Sequence, residues 1–243
     1  VSGIALLIFD VTERENSEQM RREFTANVSH ELRTPLHSIS GYAELLKNGM
    51  GKSGDVKPVA TKIYDEAQRM VRLVEDIINL SHLDEGAEDM IKEEVDLYDI
   101  VRSTIESLSP EAEAAGVTVS FSGQHVAVNG ISQLLSGIVY NLCDNAIKYN
   151  RQGGSVSVSL SSDEKDAVLT VSDTGIGIPA EHQQRIFERF YRVDKSHSKE
   201  VGGTGLGLSI VKHAAKIHDA KIKLSSVPDQ GTEITVILPK SLS

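Results

Sequence analysis

From Glu13 to about Asn48 the apolar positions Met20, Phe24, Val28, Leu32, Leu36, Ile39, Ala43 and Leu46 recur every three or four residues. That spacing predicts an amphipathic helix of coiled-coil type. Asn48-Gly49, with Gly51 and Gly54 close behind, marks its stop. A second helix opens near Val56, tolerates Pro58 in its first turn, and repeats the spacing through Val59, Ile63, Ala67, Met70, Val74 and Ile77. Two such helices predict an antiparallel hairpin. A hairpin leaves one apolar edge uncovered, and the economical way to cover it is a four-helix bundle made by a homodimer.

Ahead of the first helix, residues 3–11 (GIALLIFDV) form an apolar run of strand character with nothing nearby to pair with. A lone strand is unstable, so the run reads as the last strand of an upstream domain or as an edge that recruits a partner. Beyond the second helix, His82 to Glu94 is rich in Asp and Glu and reads as a linker. The pattern then turns to α/β: a helix over 97–115, a strand over 117–121, a helix over 131–149, strands over 155–160 and 167–172, a helix over 206–218, and strands over 221–226 and 232–238. Short gaps and one helix-bearing insert between the last four strands predict a mixed sheet with helices on one face. The expected division is therefore 1–13, a helical hairpin over 14–84, a linker over 85–95 and an α/β domain over 96–243.

Composition narrows the function. A length of 243 residues suits two domains, and 40% apolar with 25% charged residues is the balance of a globular protein. The net charge of -10 argues against nucleic acid as a partner, because phosphate backbones are met by clustered Lys and Arg. The single cysteine, Cys143, sits among apolar neighbours and cannot form an internal disulfide, which predicts a reducing, cytoplasmic setting. No stretch approaches the roughly 18 apolar residues of a membrane helix, so membrane attachment is expected only through segments outside this sequence.

The first chemical signal is Phe24-Thr-Ala-Asn-Val-Ser-His30-Glu31-Leu-Arg-Thr34-Pro35-Leu36. At about 100° per residue His30 lies far around the helix from Val28 and Leu32, so it should face solvent. Neutral imidazole is a nucleophile available near neutral pH. Glu31 could accept a hydrogen bond from one ring nitrogen and so leave the other to attack phosphorus, although adjacent residues diverge and the contact needs the flexible carboxylate arm. Pro35 removes an N–H and predicts a kink one turn after His30. A zinc-protease motif is excluded, since H-E-x-x-H requires a second His where Thr34 stands. The segment SHELRTPL resembles the H-box of HisKA-type bacterial sensor histidine kinases. The resemblance implies that His30 is the phospho-acceptor, Glu31 its acid/base helper, and Thr34 the position that assists dephosphorylation of the partner. The opening GIALLIFDVTERE similarly resembles the closing strand of a PAS sensor domain.

Four further segments belong to the α/β domain. Asn141, Asn145 and Lys148 fall on one face of a predicted helix whose other face, with Leu142 and Ile147, supplies core. Amide oxygens and a Lys suit the surroundings of a Mg-triphosphate, because Mg2+ needs few protein ligands. Asp173-Thr-Gly175-Ile-Gly177 follows a strand, where a carboxylate could accept the exocyclic amine of adenine, and glycines permit close backbone approach. Ile186-Phe-Glu-Arg189-Phe-Tyr191-Arg192 precedes a polar, Gly-bounded stretch over 193–204 that reads as a lid. Gly202-Gly203-Thr204-Gly205-Leu206-Gly207 opens a helix and offers unpaired N–H groups to phosphates. A Rossmann reading is disfavoured, since these glycines follow a charged loop rather than a strand.

These four segments resemble the N, G1, F and G2 boxes of the GHKL ATPases. The resemblance implies a two-layer α/β ATP-binding fold with ATP and Mg2+ as cofactors. It implies that Asn145 binds the metal with Asn141 in support, that Lys148 and Tyr149 reach the phosphates or sugar, and that Arg192, beside Tyr191, faces the γ-phosphate. Phosphoryl transfer from ATP to His30, and onward to an Asp of a response-regulator receiver domain, is the function implied. Two other readings are an ATPase that phosphorylates no protein and a dimeric scaffold with a vestigial pocket. The exposed His30 argues against the first, and intact Asn145, Asp173 and G2 glycines argue against the second. The chain departs from the family at His218-Asp219-Ala220, where paired glycines are usual, which predicts a slightly strained turn and unaltered chemistry.

Overall fold

The computed structural model describes residues 12–49, 56–84, 90–193 and 203–240. The strand expected over 3–11 lies outside them, as does most of the stretch expected to be a lid. The chain falls into two compact units, residues 1–73 and 74–243.

Helices α1 (Thr12–Lys47) and α2 (Val56–Asp84) form the hairpin. The Lys62 ammonium lies over the Tyr42 ring, and Arg69 approaches Glu31, so the two helices run antiparallel. The inward stripe of α1 drifts from the expected one. Phe24, Val28, Leu32 and Ile39 are partly covered and Pro35 is buried, whereas Leu36 is 52% exposed and Ala43 is exposed. A 3.6-residue helix slips about 20° per heptad, so the seam passes from position 36 to 35 and from 43 to 42. Leu36, Leu45, Tyr64 and Val71 remain exposed on this unit, the uncovered apolar edge that a two-helix protomer must have.

The second unit is a two-layer sandwich. Strands β2 (Thr118–Gly123), β4 (Ser155–Ser162), β5 (Asp166–Asp173), β6 (Lys221–Val227) and β7 (Gly231–Pro239) form one sheet in the order β2-β4-β5-β7-β6. Only the β2–β4 pairing is parallel, so the sheet is mixed as expected. Side chains alternate: Val156, Val158, Leu160, Leu169, Val171, Ile234 and Val236 are buried, while their serine and threonine neighbours are not. On the apolar face lie α3 (Leu97–Ala115), α4 (Ser132–Lys148) and α6 (Gly207–Ile217). They contribute Val101, Leu108, Leu135, Ile138, Leu142, Val211 and Ala214 to the core.

Three elements were not expected. Glu93–Asp96 forms β1, which pairs antiparallel with β3 (Ala127–Gly130), so the end of the expected linker belongs to the α/β fold. Both strands have four residues, too short for periodicity to declare them. Asp96 closes β1 and caps α3, its Oδ1 accepting the Tyr98 N–H at 2.9 Å. A single turn, α5 (Ala180–Gln183), follows the G1 segment. Cys143 is buried as its neighbours suggested, and burial pushes its thiol up to about 12. Among the described residues no helix is long and apolar enough to cross a membrane.

The unusual stop of α6 is resolved by Asp219, which takes the left-handed conformation (φ 53°) while the Ala220 N–H reaches the Ala215 carbonyl. The preceding His218 is buried with both ring nitrogens engaged. Nδ1–H donates to the Ala214 carbonyl at 2.7 Å, and Nε2 accepts the Ile131 N–H at 2.9 Å. Ile131 precedes α4 and has no side-chain cap. One imidazole therefore ties the end of α6 to the entry of α4, in a tautomer that protonation of Nε2 would destroy. Burial, with Lys92 adding to it, holds the His218 pKa below the ordinary 6.5. The unfolded chain thus binds more protons below that pH, and stability falls as pH drops from about 6.5 through the folded-state value. His218→Gln is expected to cost roughly 1–3 kcal/mol at pH 7.5 through the unsatisfied N–H. In urea unfolding it should also flatten the loss of stability expected of the wild type as pH falls below about 6.5.

Candidate active site

His30 projects outward from α1, with 74% of its side chain exposed, while Val28 and Leu32 turn inward. Its Nδ1 stands 4.0 Å from Glu31 Oε1, too far for a hydrogen bond. Helix α1 continues through Pro35. The Thr34 hydroxyl donates back to the His30 carbonyl at 3.3 Å, so the residue one turn after the histidine engages the backbone of the histidine itself.

The other expected residues converge within the second unit, and the convergence is enforced by backbone approaches that only glycine permits. On α4, Leu142, Cys143, Ala146 and Ile147 face the core, leaving Asn141, Asn145 and Lys148 on the partly exposed face. A Cβ at Gly207 would collide with Asn141 Oδ1, one at Gly203 would touch Tyr149 Oη, and one at Gly175 would overlap the Tyr149 carbonyl oxygen. That carbonyl accepts the Ile176 N–H at 3.1 Å. The G1 and G2 segments are therefore seated directly on the N segment. The F segment joins G2 from behind: the Phe190 N–H donates to the Gly205 carbonyl at 2.8 Å, with both residues at positive φ.

Asp173 closes β5, opposite Val156. Its Oδ1 accepts N–H groups from Gly175 at 2.8 Å and Thr232 at 3.2 Å, and its Oδ2 makes no hydrogen bond among the described residues. Burial raises its pKa above the ordinary carboxylate value, against the lowering effect of the two N–H donors. The carboxylate is thus a partly desolvated acceptor with one oxygen anchored and the other available. Gly177 takes φ 66°.

At the end of α4, Lys148 Nζ pairs with Asp144 Oδ2 at 2.5 Å, so its charge is partly answered within the helix. The Asn145 side-chain amide has no hydrogen bond among the described residues, and Asn141 Nδ2 donates to the Gly137 carbonyl. Thr204 Oγ1 accepts the Leu206 N–H at 3.2 Å and donates to Asp76 Oδ2 at 2.7 Å, both within residues 74–243. Leu206 is fully buried, which anchors the opening of α6. Tyr191 is fixed by His182, whose Nδ1 lies 2.6 Å from its hydroxyl, and by the Arg185 guanidinium stacked 4.3 Å from its ring. Arg192 follows, half-buried.

Two family models match this arrangement: the His Kinase A phospho-acceptor domain over residues 20–86, and the histidine kinase-, DNA gyrase B- and HSP90-like ATPase over residues 130–242. Sensor histidine kinase WalK of Bacillus subtilis (strain 168) is 36% identical over 98% of this chain and 40% of its own length. The mycobacterial sensor histidine kinase MprB is 30% identical, with a TM-score of 0.55 over 62% of this chain and 98% of that one. The full-length ShkA structure in complex with AMPPNP is 26% identical, with a TM-score of 0.67 over 93% of this chain and 46% of that one. This chain belongs to the bacterial sensor histidine kinases. It spans about 40% of the length of the first curated relatives it matches.

In this histidine kinase β6 and β7 lie where they were expected, but the support their turn gives the G1 segment from below was not foreseen. Ser226 Oγ accepts the Ile178 N–H at 2.8 Å, the Ile176 carbonyl accepts the Asp229 N–H at 2.8 Å, and the Thr232 N–H reaches Asp173. The run Pro228-Asp229-Gln230-Gly231 is a readable turn signal, but nothing in it announces that the turn touches Asp173. A Cβ at Gly231 (φ 106°) would overlap the Asp173 carbonyl oxygen, whereas one at Gly153 (φ 80°) would meet open space. Gly153→Ala is expected to cost about 1–2 kcal/mol of stability, from backbone strain alone. Gly231→Ala should cost more than that and, by displacing Asp173, should weaken binding of an ATP analogue at least about tenfold. Urea unfolding and analogue titration of the two variants give the comparison.

Proposed function

We propose that this kinase transfers the γ-phosphoryl group of ATP to His30 and then to an aspartate of a response-regulator receiver domain. The observation that carries the reading is the pairing of an outward-facing imidazole beside a carboxylate with a second unit whose glycines bring four segments together around an adenine-type acceptor. Asp173 Oδ2 would accept the exocyclic amine of adenine, which guanine lacks at that position. The N–H groups at the start of α6, with Gly203, Thr204, Gly205 and Gly207, would face the phosphates. Lys148, exchanging Asp144 for a phosphate, and Arg192 would answer the charge that develops on transfer. Tyr149 and Tyr191 would flank the nucleotide.

Mg2+ fits the donor set, because Asn145 presents a neutral amide oxygen that nothing else uses, and Asn141 stands one turn away to support it. The ion, when bound, screens the charge of the transferring phosphoryl group. In the transfer, a lone pair of His30 Nε2 forms the N–P bond as the bond from the γ-phosphorus to the β,γ-bridging oxygen breaks, and ADP leaves with that electron pair. The proton on Nδ1 passes to Glu31 once the 4.0 Å gap closes. Thr34, whose hydroxyl already lies on the His30 backbone, would act in the reverse service of removing phosphate from the regulator. The exposed apolar edge of the hairpin is the face for a homodimer. The kinase would work in the cytoplasm, with any membrane attachment through segments outside this sequence.

Incubation with γ-labelled ATP and Mg2+ is expected to give acid-labile, alkali-stable label on the wild type and none on His30→Gln. Asn145→Ala and Asp173→Asn should each cut labelling at least about a hundredfold, the latter with a matching loss of ATP-analogue affinity. Label retained on His30→Gln would sink the assignment of the acceptor.

A further inference from the structure

One cation in the helical unit has no place in that scheme. Arg69 of α2 keeps only 15% of its side chain exposed, and the groups it approaches are two carboxylates. Its Nη2 lies 3.9 Å from Glu31 Oε2 and its Nη1 lies 4.0 Å from Glu66 Oε2. Glu66 Oε2 is buried without a hydrogen-bond partner among the described residues, so this oxygen depends on Arg69 for its compensation. Glu31 is thereby shared. One oxygen faces Arg69 and the other faces His30 Nδ1 at 4.0 Å.

We infer that Arg69 is a positioning residue for the phosphoryl-transfer step, holding Glu31 in the rotamer that turns Oε1 toward His30. The inference rests on the functional reading above. Neighbouring residues on a helix diverge by about 100°, so an unrestrained Glu31 would spend most of its time pointing away from His30. A cation across the hairpin, 3.9 Å from the far oxygen, attracts that oxygen and restricts the freedom before the reaction begins. Arg suits the post because its planar fork can address two carboxylates at once. Glu66 in turn flanks the guanidinium on its own helix, and without Arg69 the buried Glu66 Oε2 would lose its compensation.

A merely structural ion pair would act on the fold whatever stands at position 31, and a positioning residue would not. The test is therefore a double-mutant cycle on the whole chain, reading the rate constant of His30 labelling at saturating ATP. Arg69→Gln is expected to slow labelling about tenfold with the KM for ATP changed less than about twofold, and Arg69→Lys should recover part of the rate. In a Glu31→Gln background the same Arg69→Gln substitution should change the rate less than about twofold. Helical circular dichroism and thermal unfolding identify any variant that has lost its fold, and Arg69→Lys carries the test if Arg69→Gln has. Equal effects in the two backgrounds, an effect confined to KM, or no effect would overturn the positioning role while leaving the kinase assignment standing. A wild type that takes no label on His30 would overturn both.

Discussion

The catalytic unit is organised by the two faces of one helix. Burial of Leu135, Ile138, Val139, Leu142 and Ile147 against the sheet fixes α4 about its axis, and with it the direction of Asn141, Asn145 and Lys148. Each apolar side chain of this size contributes about 1.5–3 kcal/mol on burial, so no rotation of the helix is affordable. The segments that complete the pocket then take α4 as their reference surface. G1 hangs on the Tyr149 carbonyl, and G2 packs Gly207 against Asn141 and Gly203 against Tyr149. Core packing thereby becomes the ruler against which the chemistry is measured. His218 shows the same economy, since the side chain that ends α6 also satisfies the backbone entering α4.

Most of this was legible because helical periodicity and glycine placement are local signals. The 3.6-residue pattern marked α1, α2, α3 and α4 to within a few residues, and the alternation of Val with Ser marked β4 and β5. The outward direction of His30 followed from its angle to Val28 and Leu32. What escaped was non-local. The pairing of β1 with β3 joins residues more than thirty apart in four-residue strands that carry no period, and so Glu93 and Glu94 looked like linker. The role of Thr232 depends on β7 lying beside β5, a fact of sheet order rather than of any motif. Lys148 pointed to the right face, but its ion pair with Asp144, one turn back on the same helix, was not foreseen.

The electrostatics of the two units differ in kind. In the α/β unit the proposed selective element is a half-buried acid: Asp173 accepts two N–H donors on one oxygen and is partly desolvated, so a donor on the other oxygen would relieve a cost already incurred in folding. A ligand that offers a carbonyl there leaves that cost standing and adds repulsion. Discrimination by a missing hydrogen bond is stronger than discrimination by size, because the penalty falls on a polar group already partly removed from water.

The helical unit works the other way, with an acceptor open to solvent and only its helper held. On the proposed reading, an imidazole that gains a phosphoryl group from bound ATP and loses it to a regulator cannot be enclosed, which is consistent with 74% exposure of His30. Exposure removes the desolvation that sharpens reactivity inside pockets, so orientation has to come from neighbours rather than from walls. On α1 the charged group recorded beside the ring is Glu31, and a flexible glutamate on a solvated helix surface is a poor director unless its far end is tied. The antiparallel register of the hairpin sets Arg69 opposite Glu31, and the same register that packs the apolar seam thus supplies the tie.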